Sequence, residues 1–381
     1  MEKEKSTLEI SGYRDFKCLA DKCRYTCCEG WDIEIDPKTY EKWEKSKEAK
    51  ELLRGVKKED LDSKKRYLIN KETFSKCPFL EEGLCKIVKE KGENYLSEAC
   101  KTFPRIENDF ENKRELSLSL SCEAVLDILD SLKREEIGFK DKEGDFKEEE
   151  LLNLKIREAL IDIIKEEEFP LEERLLIAFD MLLSILEDEI YNSYDALLEE
   201  INKYEDKEYK REVASVYKEI EINKSEALEE LNALFLDMVE NYLRVENLKS
   251  LLEPITSFSK QIKLSYLEKS FKDFKEAFKE EELLLEKAII YKIYTNCVSC
   301  DMEEMTLSFQ LIILEYLMVR YSAFLKYSIS QKNLEKEALK NYIMVFSRLI
   351  ENNEEGIIDF LEEGFGHSLL EMGYLCFITL F

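Results

Sequence analysis

The sequence predicts a mainly α-helical fold, in which a cysteine-rich metal-binding N-terminal domain with little regular sheet precedes an all-α helical domain. Only 11 Gly and 5 Pro occur in 381 residues, and so few helix breakers favour long helices. Eight of the 11 cysteines fall between positions 18 and 122, and none lies between 123 and 296. A chain of this length also accommodates two domains of ordinary size.

The predicted domain boundaries follow from a change of pattern after the clustered cysteines. Residues 1–135 form the predicted metal domain, and the charged segment 136–150, which contains two glycines, is the predicted linker. In residues 151–381 apolar side chains recur at three- and four-residue steps, as one buried helix face requires. Pro170 is expected to open a helix and Pro254 to interrupt the chain between two others. The clearest helical faces lie at 151–165, 210–245, 261–296, 305–328 and 336–351.

The charge balance limits the partners of this protein. It has 57 Lys and Arg against 84 Asp and Glu, a formal net charge of −27, and such an excess of acid disfavours nucleic acid or an anionic membrane. The charged N-terminus lacks the apolar core of a signal peptide. The longest apolar run, residues 311–319, contains Glu315 and falls short of the ~20 residues that cross a bilayer. We therefore expect a soluble cytoplasmic protein.

The N-terminal cysteines have a spacing typical of metal ligands. Four of them form Cys-x4-Cys-x3-Cys-Cys among charged residues, where neither a helical nor a strand period is present. A reducing cytoplasm and an odd total of cysteines disfavour a framework of disulfides. The candidate metal ligands are Cys18, Cys23, Cys27, Cys28, Cys77, Cys85, Cys100 and Cys122.

The spacing favours an iron–sulfur cluster over zinc, which remains the alternative. Both accept thiolate ligands, but zinc sites usually use paired Cys-x2-Cys knuckles, and none occurs in the first 296 residues. His367 is the single histidine, so imidazole contributes little to any metal site or catalytic triad. Eight thiols exceed the needs of one four-coordinate centre. Either two centres are present, or one cluster lies beside structural or redox-active thiols.

Two further features mark the second half of the cysteine-rich region. Glu82 and Gly83 predict a turn that folds Cys85 back towards Cys77. Arg105 can pair with a carboxylate of the protein or of a bound ligand.

These residues together resemble the flagellin lysine-N-methylase family, part of a wider group of cysteine-rich domains described as zinc- or iron-chelating. The resemblance covers about the first third of the chain, with all eight cysteines in order. Its motifs are Phe16-Lys-Cys18, Cys23, Thr26-Cys27-Cys28-Glu-Gly30-Trp31, Cys77-Pro-Phe-Leu, Gly83-Leu-Cys85, Cys100-x2-Phe103-Pro104-Arg105 and Ser-Leu-Ser-Cys122-Glu123.

The resemblance implies methyl transfer from S-adenosylmethionine to lysine side chains of flagellin, with a 4Fe–4S cluster in the cysteine-rich part. Arg105 is the candidate for holding the carboxylate of the donor. Two departures from the family pattern are visible. No proline stands between Cys122 and Glu123, and Asn352 stands where the segment 347–352 would end in histidine.

The chemistry of lysine methylation sets its own requirements. The substrate amine, with an ordinary pKa of about 10.4, must lose its proton before it attacks, and a Tyr or a carboxylate can accept it. No residue is singled out as this base. The sequence contains no G-x-G-x-x-G turn of a doubly wound methylase and no Cys-x3-Cys-x2-Cys of radical enzymes. The alternatives are a non-enzymatic zinc- or cluster-stabilised helical module that binds another protein, and an iron–sulfur redox or electron-transfer protein.

Three features near the C-terminus have ordinary structural interpretations. Cys297 and Cys300 are expected to be unremarkable thiols near a helix end, because helix rather than strand precedes them. Cys376 is expected to be a small buried apolar residue. Residues 364–366 (Gly-Phe-Gly) are expected to form a helix-ending turn.

Overall fold

A computed structural model describes residues 5–61, 64–71, 76–141, 151–187, 190–219, 223–330, 334–352 and 357–358. Helices dominate these residues, which confirms the predicted mainly-α class. Strands occur only before residue 142 among the described residues, so the two structural types follow one another along the chain.

The N-terminal region contains more sheet than the sequence predicted. Its strands are β1 (Ser6–Ile10), β2 (Val56–Leu61), β3 (Lys64–Ile69), β4 (Leu80–Glu81), β5 (Leu84–Cys85), β6 (Arg105–Asp109), β7 (Lys113–Leu118) and β8 (Phe139–Asp141). Four of them form a sheet with the order β6-β7-β1-β8, in which β1 is parallel to β7 and the other pairs are antiparallel. β2 pairs with β3, and β4 with β5, in two separate hairpins.

Charged residues explain why this sheet was missed. In β7 the inward side chains include Lys113 and Glu115, which are both buried. A strand with buried charges does not show the apolar alternation by which strands are recognised in a sequence. The predicted linker is affected as well, because residues 139–141 form a strand that pairs with β1. Residues 142–150 lie outside the described residues, so the domain boundary stays a prediction.

Four short helices complete the N-terminal region. Asp36 caps the first of them by accepting a hydrogen bond from the Thr39 amide at 2.9 Å. Its second oxygen accepts from the Glu98 amide at 2.9 Å, which ties the first and third helices together. The helices are α1 (Pro37–Lys45), α2 (Lys86–Lys91), α3 (Glu98–Thr102) and α4 (Glu123–Ser131).

Nine longer helices form the remainder of the described chain. They are α5 (Leu152–Lys165), α6 (Leu171–Glu187), α7 (Tyr194–Lys203), α8 (Lys207–Lys218), α9 (Lys224–Glu240), α10 (Glu246–Gln261), α11 (Leu264–Asn296), α12 (Met302–Ile329) and α13 (Lys336–Glu351). α12 is central and is the one helix of the described residues with the length and composition to cross a bilayer. Of its most apolar 18-residue window, 83% is buried inside the protein, as in the core helix of a globular fold.

The two prolines behave differently from one another. Pro170 directly precedes α6 and accepts the first helical hydrogen bond from the Arg174 amide, as predicted. The prediction for Pro254 was wrong, because it lies inside α10 rather than between two helices. An interior proline costs a helix about 3 kcal/mol. The burial of Leu252 and Ile255 on either side offsets that cost.

The buried apolar residues form two principal cores. The larger core includes Ile10 and Leu118 of the four-stranded sheet. It also includes the inward-facing apolar side chains of α4 and buried apolar side chains of the helices α5–α13. The smaller one surrounds Trp43 and includes Cys77 and Phe79. The four-stranded sheet therefore shares its core with the helices, while the segment 33–100 has a core of its own.

A thiol centre beside a charged cavity

Three thiols are in direct contact where the loop before Gly30 meets the segment that precedes β4. The thiols of Cys27 and Cys77 hydrogen-bond to Cys28, and the Cys77 amide donates to the Cys28 carbonyl at 3.1 Å. The hydrogen bonds from Cys27 and then Cys77 lower the pKa of Cys28 and raise the pKa of both partners. A thiolate is the form that binds metal, and here the adjacent Cys27 and the distant Cys77 both favour it at Cys28.

A tight hairpin brings Cys85 to the same place. Glu82 and Gly83 have φ of 52° and 79°, a left-handed pair typical of two-residue hairpin turns. Leu80 pairs with Cys85 across this turn, and the Leu80 amide donates to the Cys77 carbonyl at 3.0 Å. The predicted turn is thereby confirmed.

Cys100 completes what we call the larger thiol group, namely Cys27, Cys28, Cys77, Cys85 and Cys100. It lies in α3, where its amide donates to the capping Ser97 hydroxyl at 3.3 Å. Burial is the main cause that raises the pKa of Cys100 to about 11. The ammonium of Lys71 donates to the Trp31 carbonyl at 2.9 Å and lies near enough to interact with Cys77, Cys28 and Cys100.

The other three cysteines form a smaller thiol group, Cys18, Cys23 and Cys122, beside Glu123. The Cys23 sulfur lies 3.5 Å from a Glu123 carboxylate oxygen. Burial and then Glu123 raise the pKa of Cys23 to about 12. Arg24 holds Glu123 through its amide at 2.9 Å and its Nε at 2.6 Å. The structure thus separates the eight predicted ligands into two groups.

Arg348 of α13 lies between these two groups. Its buried guanidinium donates to the carbonyls of Tyr25 and Ser121 at 2.9 Å and of Thr26 at 3.1 Å. Burial lowers the pKa of this guanidinium, and the nearby thiols Cys27 and Cys122 oppose that effect. One helical residue therefore fixes the backbone next to both thiol groups.

The larger thiol group fits an iron–sulfur cluster in the kind of its donors, and its five thiols are one more than the four that such a cluster needs. Four sulfur donors, Cys28, Cys77, Cys85 and Cys100, pack around the small core, and such clusters are held by four thiolates. Across the part of the chain that the structure describes, no three Cys, His, Asp or Glu side chains are arranged to hold a single metal ion.

A cavity of about 440 Å³ lies between the cysteine-rich region and the helices α11–α13. Trp31 and Phe103 line one wall, with their ring centroids 5.7 Å apart. The Trp31 indole donates to the Cys27 carbonyl at 2.8 Å, so this wall is attached to the larger thiol group. A cavity of this size, lined by both apolar and polar side chains, can hold a small molecule.

Arg105 lines this cavity. It is the first residue of β6, follows Pro104, and its guanidinium lies 5.0 Å from the centre of the Phe16 ring. No described residue forms an ion pair with Arg105. Its charge is therefore available for a ligand carboxylate.

Two buried charges and one partly exposed carboxylate form the floor of the cavity. The Lys292 ammonium of α11 lies 2.8 Å from Glu315 of α12 and also pairs with Glu351 of α13. Ser347 donates to Glu315 at 2.8 Å, and Ser119 donates to Glu351 at 3.0 Å. Burial opposes the charge of Lys292, but the two carboxylates outweigh it and raise its pKa.

Asn352 also lines the cavity. Its amide nitrogen is buried and has no hydrogen-bond partner among the described residues. An unpaired buried donor is costly, and a bound ligand would satisfy it. The segment 347–352, noted in the sequence for its likeness to a family motif, thus supplies several residues of this site.

The cavity floor was not predicted from the sequence. In the sequence Glu315 was visible only as a charge that interrupts an apolar run, and neither Lys292 nor Ser119 stood out. The available signal was a charged residue on a helix whose neighbours are all apolar, since such residues are seldom buried without a partner.

The remaining cysteines agree with their ordinary interpretation as far as the structure describes them. Cys297 directly follows α11 and is buried, and Cys300 is exposed just before α12. His367, Cys376 and the segment 364–366 lie outside the described residues.

The fold and site define a mainly helical, cysteine-rich protein with a charged cavity beside its thiols. Residues 157–378, more than half of the chain, match the family model of the FliB lysine N-methylase C-terminal domain. The chain therefore belongs to the FliB lysine N-methylase family, as the cysteine motifs predicted.

Similar proteins agree with this assignment. Over 130 residues the chain is 31% identical to the flagellar biosynthetic protein FliU of Salmonella muenchen. The aligned region covers 32% of this chain and 76% of that protein. The lysine-N-methylases of Salmonella choleraesuis and Salmonella typhimurium are also 31% identical over 130 residues, which is 32% of this chain and 32% of each of them. No solved structure matches this chain.

Proposed function

We propose that this protein is an S-adenosylmethionine-dependent lysine N-methyltransferase and that the cavity holds the methyl donor together with the substrate lysine. Membership of a lysine methylase family supports the reaction. The observation that carries the assignment to this site is the cavity itself, which combines an aromatic wall, an unpaired arginine and a carboxylate floor.

Each part of the donor finds a complementary group. Trp31 and Phe103 offer ring faces to the adenine and to the sulfonium, which aromatic rings attract. Arg105 would hold the donor carboxylate, since an arginine binds a carboxylate through two parallel hydrogen bonds. The amide of Asn352 is a further donor for the ligand.

We further propose that Cys28, Cys77, Cys85 and Cys100 hold a 4Fe–4S cluster beside this cavity. Support comes from the four soft donors packed around one core and from the lowered pKa of Cys28. When bound, the cluster would supply an iron able to chelate the amino and carboxylate groups of the donor. The residues of the chain would bind and orient the donor and the substrate lysine, and they would exclude water from the cavity.

The substrate in this proposal is a protein with exposed lysines, and flagellin is the first candidate because a relative is named a flagellar biosynthetic protein. A net charge of −27 suits a lysine-bearing partner and disfavours nucleic acid or an anionic membrane. We place the reaction in the cytoplasm, where flagellin lysines and the donor are both accessible.

A methyl-transfer assay tests the proposed reaction. Anaerobically purified protein, mixed with methyl-labelled S-adenosylmethionine and flagellin monomer, should label flagellin on lysine, as read by mass spectrometry. If flagellin is not labelled and the protein does not bind the donor, the assignment is contradicted. That result would favour a module that only binds another protein.

The metal proposal has its own test. An ultraviolet–visible spectrum with iron, sulfide and zinc analysis should show a brown protein with about four iron and four sulfide per chain. A colourless protein that retains zinc would contradict the cluster. A cluster that can be reduced and reoxidised reversibly, in a protein that does not bind the donor, would indicate a redox protein instead.

The role of Arg105 leads to a specific prediction. Arg105→Ala should weaken binding of S-adenosylhomocysteine about 10–100-fold, because a charge-assisted hydrogen bond contributes roughly 1.5–3 kcal/mol. Arg114→Ala is the matched control, since Arg114 is an exposed arginine on the adjacent strand whose partner is Glu107. Equal affinities of the two variants, measured by titration calorimetry, would remove Arg105 from the donor site.

A further inference from the structure

The floor of the cavity carries an unbalanced charge. With both carboxylates ionised, Glu315 and Glu351 face a single ammonium, that of Lys292. Buried ions are costly unless they are paired. One negative charge in excess beside an open cavity is therefore a site for a second cation, which must come from the ligand.

Glu351 is the most exposed of the three charged residues on the floor of the cavity. Its side chain is 15% exposed, whereas those of Lys292 and Glu315 are 4% and 6% exposed. Ser119 donates to one of its oxygens at 3.0 Å, and Lys292 and Asn296 donate to the other, Asn296 at 3.4 Å. The carboxylate is thus oriented both by the residue that follows β7 and by α11, and proton transfer needs such a positioned group.

We propose that Glu351 is the base that binds the ammonium of the substrate lysine and removes its proton; this inference rests on the proposed function. The substrate ammonium gives one proton to the Glu351 carboxylate and becomes a neutral amine. The amine nitrogen then attacks the methyl carbon of S-adenosylmethionine. A nitrogen–carbon bond forms, the carbon–sulfur bond breaks, and the electron pair of that bond leaves on sulfur as a neutral thioether.

The neighbouring groups set the properties of Glu351. Lys292 of α11 pairs with it, and Glu315 of α12 pairs with the same ammonium. Tyr291 of α11 is close enough to interact electrostatically with Glu351, and Arg105 lines the same cavity. Burial raises the pKa of Glu315 to about 7, so near neutral pH Glu315 can share a proton with this network.

The variant Glu351→Gln keeps the shape of the side chain and removes the base. We expect its kcat on flagellin at pH 7.5 to fall about 100- to 10,000-fold, the range of a general base. Its rate should then rise about tenfold per pH unit from pH 7 to 9, because only substrate already in the free-amine form reacts. The wild-type rate should change far less over that range, and the Kd of S-adenosylhomocysteine should stay within about threefold.

Controls separate this inference from the proposed function. Glu276→Gln removes an exposed carboxylate of α11 that pairs with Lys279, and its activity should match wild type. Should Glu351→Gln fail to fold, Glu351→Asp keeps the charge beside Lys292 but shortens the reach and should lower kcat with KM unchanged. If a folded Glu351→Gln variant binds the donor and has the kcat of wild type, the role of Glu351 is overturned and the proposed function is not. A wild-type protein that neither binds the donor nor transfers methyl would overturn both.

Discussion

At the scale of single residues, burial decides which side chains of this protein can react. Cys297 and Cys300 are three residues apart and belong to the same loop between α11 and α12. Cys297 is completely buried, and burial raises its pKa to about 12, whereas Cys300 is exposed. Since the thiolate is the nucleophile, two thiols that look equivalent in the sequence should react very differently.

We predict that iodoacetamide at pH 8 modifies Cys300 of the native protein within minutes and leaves Cys297 unmodified. At this pH the buried thiol stays protonated, because its pKa lies well above the pH of the reaction. Peptide mass spectrometry provides the measurement, and the same reaction in 6 M guanidinium is the control in which both residues should be labelled. Equal labelling in the native state would show that the end of α11 opens.

The charged floor of the cavity is also decided at this scale. Glu315 was legible in the sequence as a charge in an apolar run, but its partner Lys292 comes from another helix. A carboxylate that is buried must have a partner, but the sequence does not show which residue that partner is. The choice of Glu351 as base therefore required side-chain positions that no residue pattern contains.

At the scale of elements, one ion pair joins the sheet to the helices. Arg157 of α5 donates to both oxygens of Glu115 in β7, at 2.7 and 3.0 Å, and Lys113 lies 3.1 Å from the same carboxylate. All three are buried. Such a pair maintains the position of β7, whose following residue Ser119 orients the base.

We predict that Glu115→Gln lowers the free energy of unfolding by about 3–5 kcal/mol, since it removes the charge of the buried carboxylate that pairs with Arg157 and Lys113. The control is Glu107→Gln on the adjacent strand, which removes the exposed partner of Arg114 and should change stability by less than about 1 kcal/mol. Urea unfolding followed by circular dichroism measures both. Similar midpoints for the two variants would show that the buried pair contributes no more than the exposed one.

The helices themselves were largely predictable, because an apolar face of period 3.6 is visible in any sequence that forms an amphipathic helix. The ranges 151–165, 261–296, 305–328 and 336–351 correspond to α5, α11, α12 and α13. Pro254 was misjudged because helix burial overrides local propensity. The four-stranded sheet was missed because its charges pair with residues far along the chain.

At the scale of the whole molecule, the C-terminal helix supports the N-terminal thiols. Arg348 of α13 donates to three backbone carbonyls beside the two thiol groups, although more than 200 residues separate it from each of them. The larger core also runs continuously from the four-stranded sheet into the helices. We therefore expect the cysteine-rich region to need the helical part for metal binding.

We predict that Arg348→Met lowers the iron and zinc retained per chain after anaerobic purification by more than half. The loop before Gly30 would lose the hydrogen bonds that fix it, and three carbonyls would lose a charged donor. Lys336→Met on the same helix removes an exposed ion pair with Asp130 and should retain metal as wild type does. Full metal content in Arg348→Met would show that the thiols organise the loop without the helix.

The sequence by itself determined the helical class, the candidate ligands and the family. These properties are encoded in local periodicity and in the spacing of cysteines, which a chain displays before it folds. Only the tertiary structure decided how the eight thiols divide, where the cavity lies and which carboxylate faces it. These depend on contacts between residues far apart in the chain, and the free energy of such contacts comes from burial and pairing that only the folded state creates.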